Sequence, residues 1–197
     1  MAATKLKNIF LSASIPLPER DAKYFETADI VAIRDTIIAL TTVVLPEHRI
    51  IWGGHPSITP LIYYVMGKLG LNIQEHVKLY QSLWYEHIFL EDNNKFENIV
   101  FTQKLNDIPS SIYLMRERML TENEYSAAVF VGGMNGIEDE YKMFVEKYPK
   151  ALLLPIASTG GATKIVYDNL PNDLKNERLV KDYGYMSLFQ DLLMDKI

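Results

Sequence analysis

The chain has no cysteine. That absence rules out disulfides, thiolate zinc sites, a cysteine nucleophile and thiol redox chemistry, and it agrees with a reducing compartment. A run of about 18 apolar residues is also missing, because the greasiest stretches are broken by Arg34, Asp35, Thr41 and Thr42 or by Gly67 and Lys68. No membrane span is expected. The segment Met1 to Asn8 carries Lys5 and Lys7, but Ser12, Ser14, Pro16 and Pro18 break the next stretch before an apolar region of signal-peptide length can form. No export signal is expected, and the location expected is cytoplasmic. Basic residues are not in excess: 20 Lys and Arg stand against 25 Asp and Glu, for a net charge of −5. Without a basic run to track a phosphate backbone, polymeric nucleic acid is not an expected partner. His48, His55, His76 and His87 show no pairing at metal-ligand spacing, so no metal is expected, and no motif calls for a cofactor.

What is present is an ordinary globular composition of 197 residues, 48% hydrophobic and 23% charged, long enough for one full α/β domain over residues 1–197. Asn8 to Ser12 reads as a buried strand leading into a proline-rich loop. Ile30, Ile33, Ile37, Leu40 and Val44 keep helical spacing until Pro46, with Thr27 or Asp29 as the cap. His48 to Trp52 is a second apolar run that ends in Gly53 and Gly54, and Leu61, Ile62, Val65, Met66 and Leu69 then repeat as a helix up to Gly70. Val77 to Tyr80 and Ile99 to Thr102 read as strands around a polar break. Ser110 to Leu120 reads as a helix opened by a serine cap. Ala127 to Val131 and Leu152 to Ile156 are buried strands, each closed by a glycine turn and succeeded by a helix, and a last helix is expected from Tyr183 to Ile197. Strands alternating with helices at this spacing predict a Rossmann-like three-layer α/β/α fold with a mostly parallel central sheet.

Three glycine pairs come directly after three of these strands: Gly53-Gly54, Gly132-Gly133 and Gly160-Gly161. In a parallel sheet the carboxyl ends of the strands share one edge, where open α/β sheets bind ligands. Glycine there lets the backbone approach an anion, and the next helix offers unpaired N–H groups and the positive end of its dipole. Each pair alone is also compatible with a simple tight turn.

Val129-Phe130-Val131-Gly132-Gly133-Met134-Asn135-Gly136-Ile137-Glu138-Asp139-Glu140 resembles the proline-glycine-glycine-x-glycine-threonine-x-x-glutamate motif of the LOG phosphoribohydrolases. Met115-Arg116-Glu117-Arg118 resembles their methionine-histidine-x-arginine-lysine helix, Ile51 to Gly54 their first glycine turn, and Phe10 to Ser14 their first strand with its serine-bearing loop. The resemblance runs in order along most of the chain and is closest to the broader SLOG superfamily, which joins these enzymes to nucleotide-sensing domains of bacterial antiviral systems. Ile156 to Ala162 resembles the sensing members more than the enzymes. Val131 stands in place of the motif's proline and Met119 in place of its lysine, and an extra residue lies between Gly133 and Gly136. Either Glu140 or Asp139 can therefore fill the glutamate position.

The resemblance implies Glu140 and Arg118 as catalytic residues if the protein is an enzyme. It implies Ser12, Ser14, Gly53, Gly54, Gly132, Gly133, Met134, Asn135, Gly136, Thr159, Gly160 and Gly161 as ligand-binding residues. The expected function is binding or sensing of a nucleotide or nucleotide-derived messenger. The alternative is hydrolysis of the N-glycosidic bond of a nucleoside 5′-monophosphate. A homodimer or higher homo-oligomer is also expected, with the methionine-bearing face of the helix Ile112 to Leu120 as its surface.

Overall fold

The structure, a computed structural model, describes residues 6–70 and 74–197. The amino-terminal segment considered for an export signal thus lies partly outside the described residues. A six-stranded sheet is built from β1 (Asn8–Ser14), β2 (Arg49–Trp52), β3 (Val77–Ser82), β4 (Ile99–Thr102), β5 (Ala127–Gly132) and β6 (Leu152–Ile156), in the order β4-β3-β2-β1-β5-β6. Every neighbouring pair is parallel. The fold is α/β and Rossmann-like. Its helices are α1 (Ala22–Phe25), α2 (Ile30–Val44), α3 (Thr59–Leu69), α4 (Ile108–Thr121), α5 (Asn135–Lys147), α6 (Gly161–Asp168), α7 (Arg178–Lys181) and α8 (Tyr185–Leu192). Among the described residues no helix is long and apolar enough to cross a membrane.

The chain lays β1 to β4 outward in sequence, and α4 then carries it back past β1, where β5 and β6 continue on the other side. Strand order therefore reverses between β1 and β5, which is the crevice where such sheets hold ligands. The two-residue period of a strand sorts its side chains between two cores. Ile9, Leu11, Ile50, Trp52, Val77, Leu79, Val129 and Val131 pack beneath α2, α3 and α8. Phe10, Ile51, Tyr80, Ala128 and Phe130 pack beneath α4 and α5. The second core is largely aromatic: Phe10 stacks on Phe144 at 5.3 Å and meets Tyr125 edge-on at 5.6 Å. Such pairs add about 0.5–1.5 kcal/mol beyond the area they bury.

Local signals set most helix boundaries. Asp29 caps α2 by accepting from the Ala32 N–H at 2.9 Å. At α4 the cap is Asp107, which accepts from the Ser110 N–H at 2.8 Å, and not Ser110. Pro109 fits the first turn, where its missing N–H is not needed, so the helix begins at Ile108. The terminal helix expected from Tyr183 starts at Tyr185 and stops at Leu192, beyond which Met194–Lys196 tighten into a 3₁₀ turn. The methionine face of α4 is taken up inside the domain, with Met115 and Met119 both buried in the second core. It therefore offers no surface for self-association, and the exposed apolar residues of that helix are Ile108 and Tyr113.

All three glycine turns sit on the carboxyl edge, and they carry different loads. Gly132 and Gly133 have φ near 59° and 70°, and a Cβ at Gly132 would stand 2.8 Å from the Ser14 carbonyl oxygen. A Cβ at Gly161 would stand 2.7 Å from the Gly133 carbonyl oxygen, and one at Gly160 would run into the carbonyl of Thr27. Gly160 has φ 69° and ψ −152°, a region essentially restricted to glycine. Replacing Gly160 with alanine is expected to destabilise the fold by about 3 kcal/mol, from backbone strain and the clash together. Thermal denaturation should then show a Tm lowered by roughly 6–12 °C.

Candidate functional site

A cleft of about 1150 Å³ opens along the carboxyl edge of β1, β2, β3 and β5. At its polar end the strand alternation that buries Phe10 beneath α5 turns Ser12 to the same face. Ser12 Oγ donates to Glu140 Oε2 at 2.5 Å. Arg116, from α4, donates through Nε to Glu140 Oε1 at 2.9 Å and through Nη2 to the Gly136 carbonyl at 3.2 Å. Its Nη1 reaches Asp139 at 3.4 Å. Glycine at 136 makes room for this guanidinium, because a Cβ there would lie 2.7 Å from Nη2. The Arg116 and Glu140 side chains are only 16% and 15% exposed, whereas Asp139 is 51% exposed. Of the two candidate carboxylates, the structure brings Glu140 into the cleft and leaves Asp139 on its rim.

The amino terminus of α5 opens here as well. Met134, Asn135 and Gly136 line the cleft, and no side chain caps the helix. Its first N–H groups therefore face the cleft with the positive end of the dipole, an arrangement that favours an anion. The start of α6 is different. The Gly161 N–H donates to Thr27 Oγ1 at 3.1 Å, and the Ala162 N–H donates to the Gly133 carbonyl at 2.9 Å. Thr159 Oγ1 accepts from the Gly132 N–H at 2.9 Å. Thr159, Gly160 and Gly161 thus lie outside the cleft, because their polar groups and free volume are used in holding the β5 and β6 turns together.

Of the residues picked from sequence, Ser12, Ser14, Gly53, Gly54, Met134, Asn135, Gly136 and Glu140 line the cleft. Gly132 and Gly133 do not line it; they lie against Ser14 and, at Gly133, Ile137, which do. Arg118 is not brought to it. Its guanidinium pairs with Glu122 one turn on, at 2.6 Å, and reaches the Phe101 carbonyl at 3.4 Å. The residue that meets Glu140 is Arg116. On a helix with Met115 and Met119 facing inward, positions 116 and 118 fall on opposite flanks. Which flank faces α5 is decided by the chain path, which the helix sequence does not contain.

The β2 turn adds a histidine. His55 Nδ1 accepts from the Ser57 N–H at 3.2 Å and lies 2.7 Å from Ser57 Oγ. A backbone N–H can only donate, so Nδ1 is unprotonated and the ring proton sits on Nε2. Burial, with a smaller push from the Arg20 charge, lowers the His55 pKa to about 4.

Crevice position, parallel topology and an uncapped helix terminus beside a mostly buried ion pair define this as a Rossmann-like domain with its cleft at the strand-order reversal. The model of the SLOG cluster3 family matches residues 23–193, and the chain belongs to that family. No curated protein matches the chain. Among solved structures, the X-ray structure of TM1055, a structural-genomics target, is similar with a TM-score of 0.59 and 13% identity over 94% of this chain and 99% of that one. That likeness supports the fold.

Two measurements check this geometry. Arg116→Ala leaves a mostly buried carboxylate without its cation and should cost about 3 kcal/mol of stability, whereas Arg118→Ala removes an exposed one-turn pair and should change stability by less than about 1 kcal/mol. Thermal denaturation of both variants would show it. His55 titrates near 6.5 when unfolded and about 4 when folded, so between these values the unfolded chain binds more protons and stability falls as pH falls. In His55→Asn the amide oxygen can still accept from the Ser57 N–H but nothing titrates, so the loss of Tm between pH 7 and pH 5 should shrink.

Proposed function

We propose that the domain binds a nucleotide or nucleotide-derived second messenger in this cleft and acts as a sensor. The setting consistent with the sequence resemblance is a prokaryotic antiviral or conflict system. The observation that carries the reading is the uncapped α5 terminus at the β1–β5 reversal, beside the Ser12–Glu140–Arg116 cluster. A phosphate would sit against the Asn135 and Gly136 N–H groups, where the helix dipole favours negative charge. Ser14, on the facing strand end, would supply a hydroxyl. Glu140, held by Arg116 and Ser12, would accept a hydrogen bond from a ribose hydroxyl. Membership of the SLOG cluster3 family supports the nucleotide class of ligand.

Glu140 inside the cleft also favours a second reading, hydrolysis of the N-glycosidic bond of a nucleoside monophosphate. Both of its oxygens are already engaged by protein groups, which suits a fixed contact better than a base that must reach toward water. Incubating the purified protein with mononucleotides, cyclic nucleotides and dinucleotides, then chromatographing bound and released species, separates the two. Intact ligand on the protein is the expected result. Free base with ribose 5-phosphate would establish the hydrolase instead, and Glu140→Gln should then slow turnover by a factor on the order of 10² or more. Neither retention nor cleavage of any nucleotide would overturn both readings.

A further inference from the structure

At about 1150 Å³ the cleft is larger than the roughly 300–1,000 Å³ of an ordinary small-ligand pocket. Past β2 it continues into an apolar chamber walled by Tyr85 and Phe89 from the β3–β4 connection and by Ile112 from α4. Between this chamber and the α5 terminus, in strand order, stand two donors that the fold does not use. They are Arg20, from the segment after β1, and His55, from the β2 turn, and both line the cleft. The Arg20 N–H closes a turn on the Leu17 carbonyl at 3.1 Å, and among the described residues no carboxylate pairs with its guanidinium. His55 is presented by Gly54, whose φ of 67° turns the chain and whose carbonyl is fixed by the Gln81 amide at 3.1 Å. With Nδ1 taken by Ser57, the Nε2–H is the donor left over. It is not one of the sealed, unpaired side-chain atoms among the described residues, which are Thr36 Oγ1, His48 Nδ1 and Asn93 Oδ1, so it is open to the cleft. Arg20 stands close enough for its charge to act on the imidazole.

We infer that Arg20 and His55 form a second phosphate subsite, and that the ligand is a dinucleotide whose phosphodiester lies there while another of its phosphates lies at α5. The inference rests on the nucleotide reading of the cleft and names the size and linkage of the ligand. Charge selects the diester. Burial holds His55 uncharged at neutral pH, with its pKa lowered to about 4, so the pair presents the single charge of Arg20 beside a neutral donor. A phosphodiester is a monoanion with two free oxygens, one for each donor. A terminal phosphate carries about −1.5 to −2 at pH 7 and would leave part of its charge unmatched. Distance separates the diester from a pyrophosphate. The strands β2 and β5 flank β1, so their turns are roughly 10 Å apart at about 4.8 Å per strand. The two halves of a pyrophosphate share one oxygen and do not span that gap, whereas phosphates on either side of a ribose are held apart by the whole sugar. The second nucleoside then enters the apolar chamber, which accounts for the size of the cleft.

Calorimetry of the full chain with the 5′-phosphorylated dinucleotides pApA and pUpU, cyclic di-AMP, AMP and UMP tests this. A dinucleotide, linear or cyclic, should bind at least about ten-fold more tightly than the mononucleotide of the same base, and which form gains shows whether the diester belongs to an open or a closed ligand. Two variants, each checked for a cooperative melt, probe the subsite itself. Arg20→Met removes the charge, and His55→Asn keeps an acceptor for the Ser57 N–H while withdrawing the outer donor. Each should weaken dinucleotide binding until it lies within about three-fold of the mononucleotide. Equal binding of dinucleotides and mononucleotides by the parent protein would overturn the subsite, and so would an advantage that survives undiminished in either variant. In those cases binding of AMP or UMP leaves the nucleotide reading standing, whereas failure of every probe to bind removes that reading and the subsite with it.

Discussion

The cleft edge of the sheet depends on a contact among three strand ends that leaves no space for side chains. The Gly133 N–H donates to the Ser14 carbonyl at 2.8 Å, locking β5 to β1, and the Gly133 carbonyl in turn accepts from Ala162 at the head of α6. Thr163 Oγ1 donates to the Gly132 carbonyl at 3.0 Å, while Thr159 bridges the Gly132 N–H and the Ile156 carbonyl. Most of these atoms are buried, where an unpaired backbone group is costly, so each bond is a condition for the others. Because this knot fixes β1 and β5 to one another, Ser12 and the first turn of α5 are held in place by the fold itself.

The alternation of apolar runs, glycine turns and helical stripes carried enough information to give the parallel α/β fold, because each signal is local and repeats at the period of its own element. The β5 turn and Glu140 were legible for the same reason: a helix after a glycine turn on a buried strand has its first residues at the sheet edge. Arg116 was not, because the choice between it and Arg118 depends on which side of α4 faces α5. Thr159, Gly160 and Gly161 were misplaced by a different route. A glycine turn that contacts another turn looks the same in sequence as one that contacts an anion, and only the partners of Gly161 and Ala162 distinguish them.

Arg116 and Glu140 connect the fold to the cleft electrostatically. Both side chains are mostly withdrawn from water, so their mutual attraction acts at a lower effective dielectric than a surface pair and each depends on the other to offset its lost hydration. The pair bridges α4 and α5 across the β1 strand end, and Ser12 completes the carboxylate's coordination from the sheet. Three elements that approach from different directions are thereby registered on a single carboxylate.

The segment from Leu83 to Asn98 joins β3 to β4 at one end of the sheet and is made of short 3₁₀ turns, Leu83–Ile88 and Glu91–Lys95, in place of a crossover helix. It reaches the cleft without taking part in the contact among the β1, β5 and β6 turns. The polar end of the cleft can change little without disturbing the sheet, while the apolar chamber is built largely from a connection whose length and composition the sheet does not dictate. Under mutation the two ends are separable: the polar end is constrained with the fold, whereas the β3–β4 connection can vary in length and composition while the sheet and its turns stay as they are.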